Sequence, residues 1–460
     1  MKIKLLGFII CILFLSSCEK DEEFLLDPKA ELKYSVDSVL FDTVFTSVGS
    51  TSRRIKIYNP HAKAILISEI KLNGNLQSPF SVNINGSSSP SDKLIKLNGK
   101  DSINIFVKVQ INPNQNELPF LIQDSLEIYY GENKKTIPLL AYGQNAHFIT
   151  NQVIEEDTTW DAKIPYVIYK SLTVAEGATL NLRPGTKMLF HSNATLHIKG
   201  RLTALGTLQD SIVFASDRLE SMYQNEPGQW NGIHFYNTSK DSELRHVVLK
   251  NAVAGITFDG SDQYEKPEIT ISNSVIKNMQ VVGFLGYNAK LQAFNNLFYN
   301  CGQYLLYGVG GGTYNLKHNT FVGFNPNFAR QTASLFFSDF ISPSTYGQLI
   351  ISMQNNIVHG QIPQEFVIEK KGTSNLVLSN ITHNALNTTD FNWANQNNFL
   401  NQDPLFVAPF QGNFQLRAQS PVLNKGKDLQ EDPYFKKYLS LDAKNQIRLF
   451  PSDLGSYERK

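Results

Sequence analysis

Four tyrosines stand on either side of a triple glycine, Gly310–Gly312, in the middle of the chain. They are Tyr299, Tyr304, Tyr307 and Tyr314. Exposed aromatic rings can stack on sugar rings. The sequence therefore predicts a carbohydrate-binding surface here, with the alternative that most of these rings face the core or fill turns. The triple glycine lacks the Lys-Ser/Thr of a phosphate-binding loop, which excludes that chemistry.

A second set of candidate residues is acidic. Asp259, Asp262 and Glu265 lie close together in the chain and could ligate a calcium ion, which prefers oxygen ligands. The alternative is a solvated turn. The nine histidines show no spacing typical of a zinc site, such as His-Glu-x-x-His. Calcium is therefore the cofactor that the sequence leaves open, and no other cofactor is indicated.

The elements that must position these residues form a repeat. Ser274, Asn296, Asn319, Asn356 and Asn380 occupy equivalent places in segments that alternate apolar and polar residues. The steps between them are 22, 23, 37 and 24 residues. Because a period in the low twenties indicates a solenoid and alternation indicates strands, the sequence predicts short strands stacked about 4.8 Å apart.

Stacking of equivalent positions predicts two interior rows. The apolar row is expected to contain Ile276, Phe298, Phe321 and Val358. The polar row is an asparagine ladder at the bend, because Asn tolerates left-handed backbone and stacked amides can bond to one another. Its predicted members are Asn273, Asn296, Asn319, Asn356 and Asn380. The alternative for these residues is a polar binding row.

The step of 37 residues between Asn319 and Asn356 predicts an insertion in one coil. Extra residues in one coil of a solenoid map to a loop on one face, which is often the binding face. Arg330, Asp339 and Tyr346 lie in this insertion and are further candidates for contact with carbohydrate.

The repeats resemble the right-handed parallel β-helix family, the pectate-lyase-like solenoids, over residues 160–426. The resemblance rests on the asparagine repeats, on glycine-punctuated strands such as Leu196-His-Ile-Lys-Gly200, and on the closing Ser420-Pro-Val-Leu-Asn-Lys-Gly426. It implies a solenoid whose binding sites lie on one outer face. Residues 427–460 are expected to cap the open end, where strand edges would otherwise be unpaired.

The same resemblance raises the question of catalysis, since this family includes polysaccharide lyases and glycoside hydrolases. Hydrolysis needs two carboxyl groups flanking the bond. Residues 269–325 contain no Asp or Glu, and the paired aspartates of polygalacturonases are absent. A lyase would need a base such as Lys or Arg. The sequence favours a protein that is not an enzyme and leaves the question open.

A different pattern occupies residues 31–145. Several alternating segments, such as Arg54-Ile-Lys-Ile-Tyr58 and Ser102-Ile-Asn-Ile-Phe-Val-Lys-Val109, are separated by turns rich in Asn, Gly and Pro. Short strands at this spacing predict a β-sandwich. The segment resembles Ig-like domains of the cilia-associated and sperm-protein type, which are usually spacers or adhesion modules. The predicted fold class is thus all-β, an Ig-like β-sandwich followed by a parallel β-helix.

The N-terminus predicts export. Lys2 and Lys4 precede an apolar run, Leu5–Leu15, which suits a signal peptide and is too short to span a bilayer. Leu15-Ser-Ser-Cys18 resembles a bacterial lipobox, so residues 1–17 are a predicted signal peptide and Cys18 a predicted lipidation site. The acidic residues after Cys18 resemble the surface-export signal of Bacteroidetes lipoproteins, and residues 18–30 are a predicted tether.

These patterns together predict a surface lipoprotein of the outer membrane whose β-helix binds or scaffolds, with a link to glycans. An enzyme acting on acidic polysaccharide and a structural protein of the cell envelope without a ligand are the alternatives. The expected partners are the membrane, through the lipid on Cys18, and a polysaccharide. The formal net charge of +1 and the absence of a Lys/Arg run exclude an obvious nucleic-acid footprint.

Overall fold

The structure is a computed structural model, and it divides the chain into two compact units after Asn145. It describes residues 24–25, 27–261, 267–324, 329–342, 344–371 and 377–459. Among these residues, no helix is long and apolar enough to cross a membrane. The predicted signal peptide, Cys18, Asp262 and Glu265 lie outside the described residues.

The first unit is a β-sandwich with one hydrophobic core. Its sheets have the strand orders β1-β3-β7-β5 and β2-β9-β8-β4-β6. The strands are β1 (Lys33–Tyr34), β2 (Val39–Phe45), β3 (Arg53–Tyr58), β4 (Ile65–Leu72), β5 (Phe80–Ile84), β6 (Ser91–Leu97), β7 (Ser102–Val109), β8 (Phe120–Tyr130) and β9 (Asn133–Gln144), with a 3-10 helix at Asn75–Gln77. Alternation decides which face is buried: in β7, every second residue from Ile103 to Val109 faces the core.

The predicted tether is shorter than residues 18–30. Phe24 forms a bridge with Ala64, and the backbone N–H of Leu25 donates to the carbonyl of Ala64 at 2.8 Å. Farther along, Asn133 donates to the carbonyl of Pro28 at 3.0 Å. These contacts attach residues 24, 25 and 28 to the sandwich, because their backbone groups find partners there.

The second unit consists of short strands that pair in parallel with the equivalent strands of neighbouring coils. They are β10 (His147–Ile154), β11 (Thr158–Trp160), β12 (Tyr166–Val174), β13 (Thr179–Leu182), β14 (Lys187–Phe190), β15 (Thr195–Ile198), β16 (Arg201–Leu205), β17 (Ile212–Ser216), β18 (Gly232–Phe235), β19 (Ser242–Arg245), β20 (Val247–Lys250), β21 (Ala254–Asp259), β22 (Ile269–Ser272), β23 (Val275–Met279), β24 (Val282–Tyr287), β25 (Lys290–Phe294), β26 (Leu297–Cys301), β27 (Tyr304–Val309), β28 (Gly312–Lys317), β29 (Thr320–Gly323), β30 (Leu335–Ser338), β31 (Phe340–Ser342), β32 (Thr345–Tyr346), β33 (Leu349–Gln354), β34 (Ile357–Gly360), β35 (Phe366–Glu369), β36 (Val377–Thr382), β37 (Ala385–Leu386), β38 (Phe399–Leu400), β39 (Phe406–Ala408) and β40 (Asn413–Leu416). Two pairs, β31–β32 and β39–β40, are antiparallel hairpins.

The parallel strands form three faces. Face 1 has the order β11-β13-β16-β19-β22-β25-β28-β33-β36. Face 2 runs β14-β17-β20-β23-β26-β29-β34-β37-β38. Face 3 runs β15-β18-β21-β24-β27-β30-β35, and the long strand β12 joins faces 2 and 3. The predicted all-β fold with a parallel β-helix is therefore confirmed.

The predicted apolar stack is also confirmed. Ile276 pairs with Phe298, Phe298 with Phe321, and Phe321 with Val358, and all four side chains are buried. The rings of Phe298 and Phe321 are stacked with their centroids 5.0 Å apart. Strand spacing alone places these side chains in contact, since each coil adds one residue to the row.

The corner between faces 1 and 2 holds the asparagine ladder. At each step, the amide oxygen of an asparagine accepts a hydrogen bond from the backbone N–H of the equivalent residue in the preceding coil. When that residue is also an asparagine, its side-chain amide donates to the same oxygen. The members are Ser274, Asn296, Asn319, Asn356, Asn384 and Asn398, joined by bonds of 2.9–3.0 Å. Every asparagine in the row is buried, so the ladder satisfies polar groups that water cannot reach.

Two predicted ladder members lie elsewhere. Asn273 occupies the position just before the ladder residue, where the backbone is left-handed, with φ near 50°. Asn380 lies within β36, is exposed and pairs with Ser352 in an outward-facing row. The correct member is Asn384, which stands in Thr382-His-Asn384 as Asn319 stands in Lys317-His-Asn319. The alignment failed because β36 contains an asparagine of its own, two residues inside the strand.

The solenoid begins and ends earlier than predicted. Its first parallel strand is β10, at His147, and its last is β38, at Leu400. The hairpin β39–β40 packs outside face 2 rather than adding a coil. The C-terminal segment lies along the flank instead of capping the open end, with Leu429 and Leu439 packed against Phe294 of β25. It follows the flank because face 1 offers outward apolar groups there.

Candidate functional site

Two adjoining cavities on the outer side of face 2 form what we call the aromatic groove. Their volumes are about 360 and 450 Å3, and they share Phe324, Pro409, Phe410 and Gln411. One wall is face 2, and the other is the hairpin β39–β40. The 3-10 helix Pro409–Gln411 forms the tip of that hairpin. The groove therefore exists because the chain returns over its own solenoid.

Aromatic rings form the centre of the groove. The rings of Phe324 and Phe410 are stacked with centroids 5.9 Å apart, and Phe410 is 73% exposed. Tyr299 of β26 packs edge-on against Phe414 at 5.0 Å, and burial raises its pKa to about 12. Gly412 follows the tip with φ +74° and lies so close to Tyr299 that a Cβ would be 3.1 Å from the phenolic oxygen. The positive φ and the close approach to Tyr299 therefore both favour glycine at this position.

A cation lines the same cavity. Lys277 of β23 is in register with Tyr299, and its Nζ lies 5.6 Å from the centre of that ring. Among the described residues, no carboxylate or carbonyl accepts a hydrogen bond from this ammonium group. Burial lowers the pKa of Lys277. The side chain therefore offers a partly desolvated donor to a ligand that enters the groove.

The second cavity of the aromatic groove, with a volume of about 450 Å3, is lined by both acidic and basic side chains. His359 lies between the rings of Phe324 and Phe406, at 5.5 and 6.4 Å, and burial lowers its pKa. Asp403 and Arg417 line this cavity as well, and Arg417 donates to the carbonyl of Val407 at 3.0 Å. An apolar centre with a few polar groups at its ends is the usual composition of a small-molecule site.

The predicted tyrosines do not form one surface. Tyr299 lies in the aromatic groove. Tyr304 and Tyr307 lie on face 3, stacked on each other at 4.3 Å and edge-on to Phe336. Tyr314 is fully buried, and its hydroxyl lies 3.5 Å from the carbonyl of Gly286. Tyr314 is therefore a core residue rather than a ligand contact, because its strand position points inward.

The three candidate residues from the insertion do not form one surface either: two are buried and one is exposed. Arg330 is 4% exposed and pairs with Glu365, whose side chain is fully buried. Asp339 is also buried and accepts a hydrogen bond from the backbone of Lys371 at 2.9 Å. Burial corrects the expectation that these two residues contact a carbohydrate: each satisfies polar groups inside the coil. Tyr346 is 43% exposed and lies on the hairpin β31–β32, at the end of the predicted insertion.

Of the three candidate calcium ligands, Asp259 lies among the described residues. Asp259, at the end of β21, accepts a hydrogen bond from Nε2 of His234 at 2.8 Å. His234 in turn stacks on Tyr236 with centroids 4.3 Å apart. In the described part of the chain, no three His, Cys, Asp or Glu side chains come together in a way that could hold a metal ion. Asp259 is thus engaged with a histidine of the neighbouring coil.

Sequence reasoning missed most of the groove. Phe324 follows β29 and Phe410 follows β39, and neither falls in the repeat that drew attention to the tyrosines. The sequence feature that pointed to this region was the segment Asp403-Pro-Leu-Phe406, which interrupts the regular spacing of the asparagines. That interruption shows that the solenoid stops, but it does not show where the chain goes next.

No protein-family model and no curated protein matches the chain in sequence. Similar solved structures include pectate lyase Pel9A, at 12% identity and a TM-score of 0.34, covering 69% of this chain and 88% of that one. A family 123 glycoside hydrolase from Clostridium perfringens aligns at 10% identity and a TM-score of 0.20 over 26% of this chain. This chain spans 31% of the length of that hydrolase.

Another similar solved structure is a domain of a human protein. The ASH/PapD-like domain of human CEP192 aligns at 12% identity and a TM-score of 0.18, covering 28% of this chain and 96% of that domain. Likenesses this distant do not bear on activity. The functional argument therefore rests on the groove itself.

Proposed function

We propose that this protein is a lipoprotein of the outer membrane, exposed on the cell surface, whose β-helix binds polysaccharide in the aromatic groove. The observation that carries the binding proposal is the exposed ring of Phe410 beside Phe324, in a groove that also contains the ammonium of Lys277, which donates no hydrogen bond to the described residues. A flat apolar ring suits the face of a sugar, and a desolvated donor suits its hydroxyl or carboxylate groups. The lipid anchor rests on the pattern around Cys18.

Replacing Phe410 with Ala is expected to weaken polysaccharide binding by about tenfold, which corresponds to roughly 1.4 kcal/mol. The side chain is 73% exposed, so its loss removes a ligand contact without opening a cavity in the core. The measurement is a screen of neutral and acidic polysaccharides on the purified full-length protein, followed by the Kd of the best ligand.

Phe391→Ala is the matched control for this variant. Phe391 is 69% exposed in the same unit but lines neither cavity of the groove. Its removal is expected to leave the Kd unchanged. Equal Kd values for the Phe410 and Phe391 variants would show that the aromatic groove is not the binding site.

Catalysis is the second candidate function, and one observation favours it. The groove collects two carboxylates, Glu226 and Asp403, from outside the carboxylate-poor repeat, together with the partly buried Lys277. The same screen therefore includes two readouts of turnover, ultraviolet absorbance of unsaturated uronates and new reducing ends, with and without calcium. Turnover would make the protein an enzyme; binding alone would support recognition; silence in both readouts would favour a scaffold.

The anchor has a separate test. In Cys18→Ala cells, the protein is expected to leave the membrane fraction and appear in soluble form, because two or three acyl chains hold a lipoprotein firmly. The far-ultraviolet circular dichroism of the released protein should match that of the wild type, since Cys18 precedes in sequence the first β-strand, which begins at Lys33. A Cys18→Ala protein that stays in the membrane fraction would rule out lipid anchoring at this residue.

A further inference from the structure

We propose that a second site, which we call the basic pocket, binds an oxyanion such as a sulfate or carboxylate group carried by a sugar. The pocket has a volume of about 320 Å3. It lies between the end of β19, the end of β22 and the C-terminal segment around the π-helix Phe435–Leu439. It does not share a residue with the aromatic groove, so the inference stands independently of the proposed function.

The charge of the walls points to an anion. Arg245, Lys436 and Lys437 line the pocket, and its described lining contains no Asp or Glu. Lys437 has a carboxylate partner outside the lining, Glu243, at 3.3 Å. Arg245 and Lys436 have no ion-pair partner among the described residues. Two free cations therefore face one cavity in a chain whose formal net charge is only +1.

A buried hydroxyl supplies the second observation. Ser272, at the end of β22, lines the pocket and is 1% exposed. Its Oγ has no hydrogen-bond partner among the residues that the structure describes, whereas buried polar groups in proteins almost always have one. An oxyanion in the pocket would accept a hydrogen bond from this hydroxyl and remove the deficit.

The neighbouring imidazole can also donate. Nε2 of His246 lies 3.4 Å from Nδ2 of Asn273, which places the proton of a neutral ring on Nδ1. Burial and the adjacent Arg245 lower the pKa of His246, so the ring is neutral at pH 7. Arginine, lysine, hydroxyl and imidazole donors then line a pocket whose described lining has no carboxylate, which is a composition that suits an oxyanion.

The pocket is preformed. Nδ2 of Asn295 donates to the carbonyls of Tyr438 and Leu441 at 2.7 and 2.9 Å, and the ring of Tyr438 lies 5.2 Å from that of Phe294. The hydroxyl of Tyr438 donates to Glu243 at 3.1 Å. These bonds hold the cationic segment against the solenoid before a ligand arrives, which reduces the entropy lost on binding.

The volume of the basic pocket limits the size of the ligand. Small-molecule sites usually measure about 300–1,000 Å3, and the basic pocket lies at the lower end of that range. It therefore has room for one sugar residue that carries an anionic group. A free inorganic anion shares the same chemistry and would occupy only part of the space.

Calorimetry on the purified full-length protein tests the proposal with four probes at matched ionic strength. The probes are sodium sulfate, N-acetylglucosamine 6-sulfate, galacturonate and neutral N-acetylglucosamine. We expect binding of the charged probes and none of N-acetylglucosamine. Tighter binding of a charged sugar than of sulfate supports a sugar-borne anion, and the reverse order supports a free anion. Absence of binding by all three charged probes overturns the proposal.

Two variants locate the binding. Arg245→Gln is expected to weaken it about tenfold or more, the usual effect of losing a hydrogen bond to a charged group. Ser272→Ala is expected to weaken it several-fold without lowering the melting temperature, because the hydroxyl has no partner to lose. Lys370→Gln, an exposed lysine outside every described cavity lining, is the control and should change nothing. Unchanged affinity in both pocket variants would overturn the assignment, and normal anion binding by Phe410→Ala would separate it from the aromatic groove.

Discussion

Glu365→Gln is expected to lower the free energy of unfolding of the β-helix by about 3–5 kcal/mol, the usual cost of removing one partner from a buried ion pair. Glu365 and Arg330 have side-chain exposures of 0% and 1%, and Nη2 of Arg330 lies 2.5 Å from both carboxylate oxygens. The glutamine would keep the shape of the side chain while leaving the guanidinium without a counter-charge.

The surroundings of Glu365 increase this cost. Its carboxylate also accepts hydrogen bonds from the backbone N–H and hydroxyl of Ser334, at 3.0 and 2.6 Å, and from the backbone N–H of Ile362 at 3.1 Å. All of these partners are donors, so an amide NH2 group in this place would face another donor on at least one side. The pair thus holds the insertion against two coils.

Thermal unfolding of the full-length protein, followed by circular dichroism, measures the effect. We expect a fall in melting temperature of roughly 5–10 °C. Glu369→Gln is the control, since Glu369 ends β35, the strand that directly follows Glu365, and is exposed. It should change stability by less than about 0.5 kcal/mol. Equal melting temperatures for the two variants would show that the buried pair does not hold the insertion.

Asn319→Leu is expected to have the second-largest effect, a loss of about 3 kcal/mol or more. Oδ1 of Asn319 accepts from the backbone and the side chain of Asn296, at 2.9 and 3.0 Å, and Nδ2 donates to Ala293 at 2.8 Å and to Asn356 at 3.0 Å. Leucine has a similar volume but removes these four hydrogen bonds, and it leaves the backbone N–H of Asn296 and the carbonyl of Ala293 without them in a place that water does not reach. Because each coil is stabilised by its neighbours, the damage should spread to adjacent coils.

Asn380→Leu is the matched comparison for this experiment. Repeat spacing places Asn380 in the ladder, whereas the structure places it on the exposed side of β36. Urea unfolding should therefore show a large shift of the midpoint for Asn319→Leu and almost none for Asn380→Leu. The opposite ranking would contradict the register of the last coils.

The sequence determined the repeating part of this protein. Strands in parallel pairs are separated by one fixed spacing, so each coil adds an equivalent residue to the same row, and the row can be read from periodicity. This reasoning located the buried stack from Ile276 to Val358 and the asparagines of the central coils. It failed at Asn380, where the coil length changes and an unrelated asparagine lies near the expected position.

Only the tertiary structure decided what the non-repeating segments do. Arg330 and Asp339 looked like surface residues of an insertion, but both turn inward because the coil around them contains backbone and side-chain groups that need partners. The aromatic groove and the basic pocket each depend on a segment that leaves the solenoid and packs back on it, the hairpin at Phe410 and the tail at Lys436. Periodicity describes the contacts between neighbouring coils, and it contains no information about where a chain without a period will return.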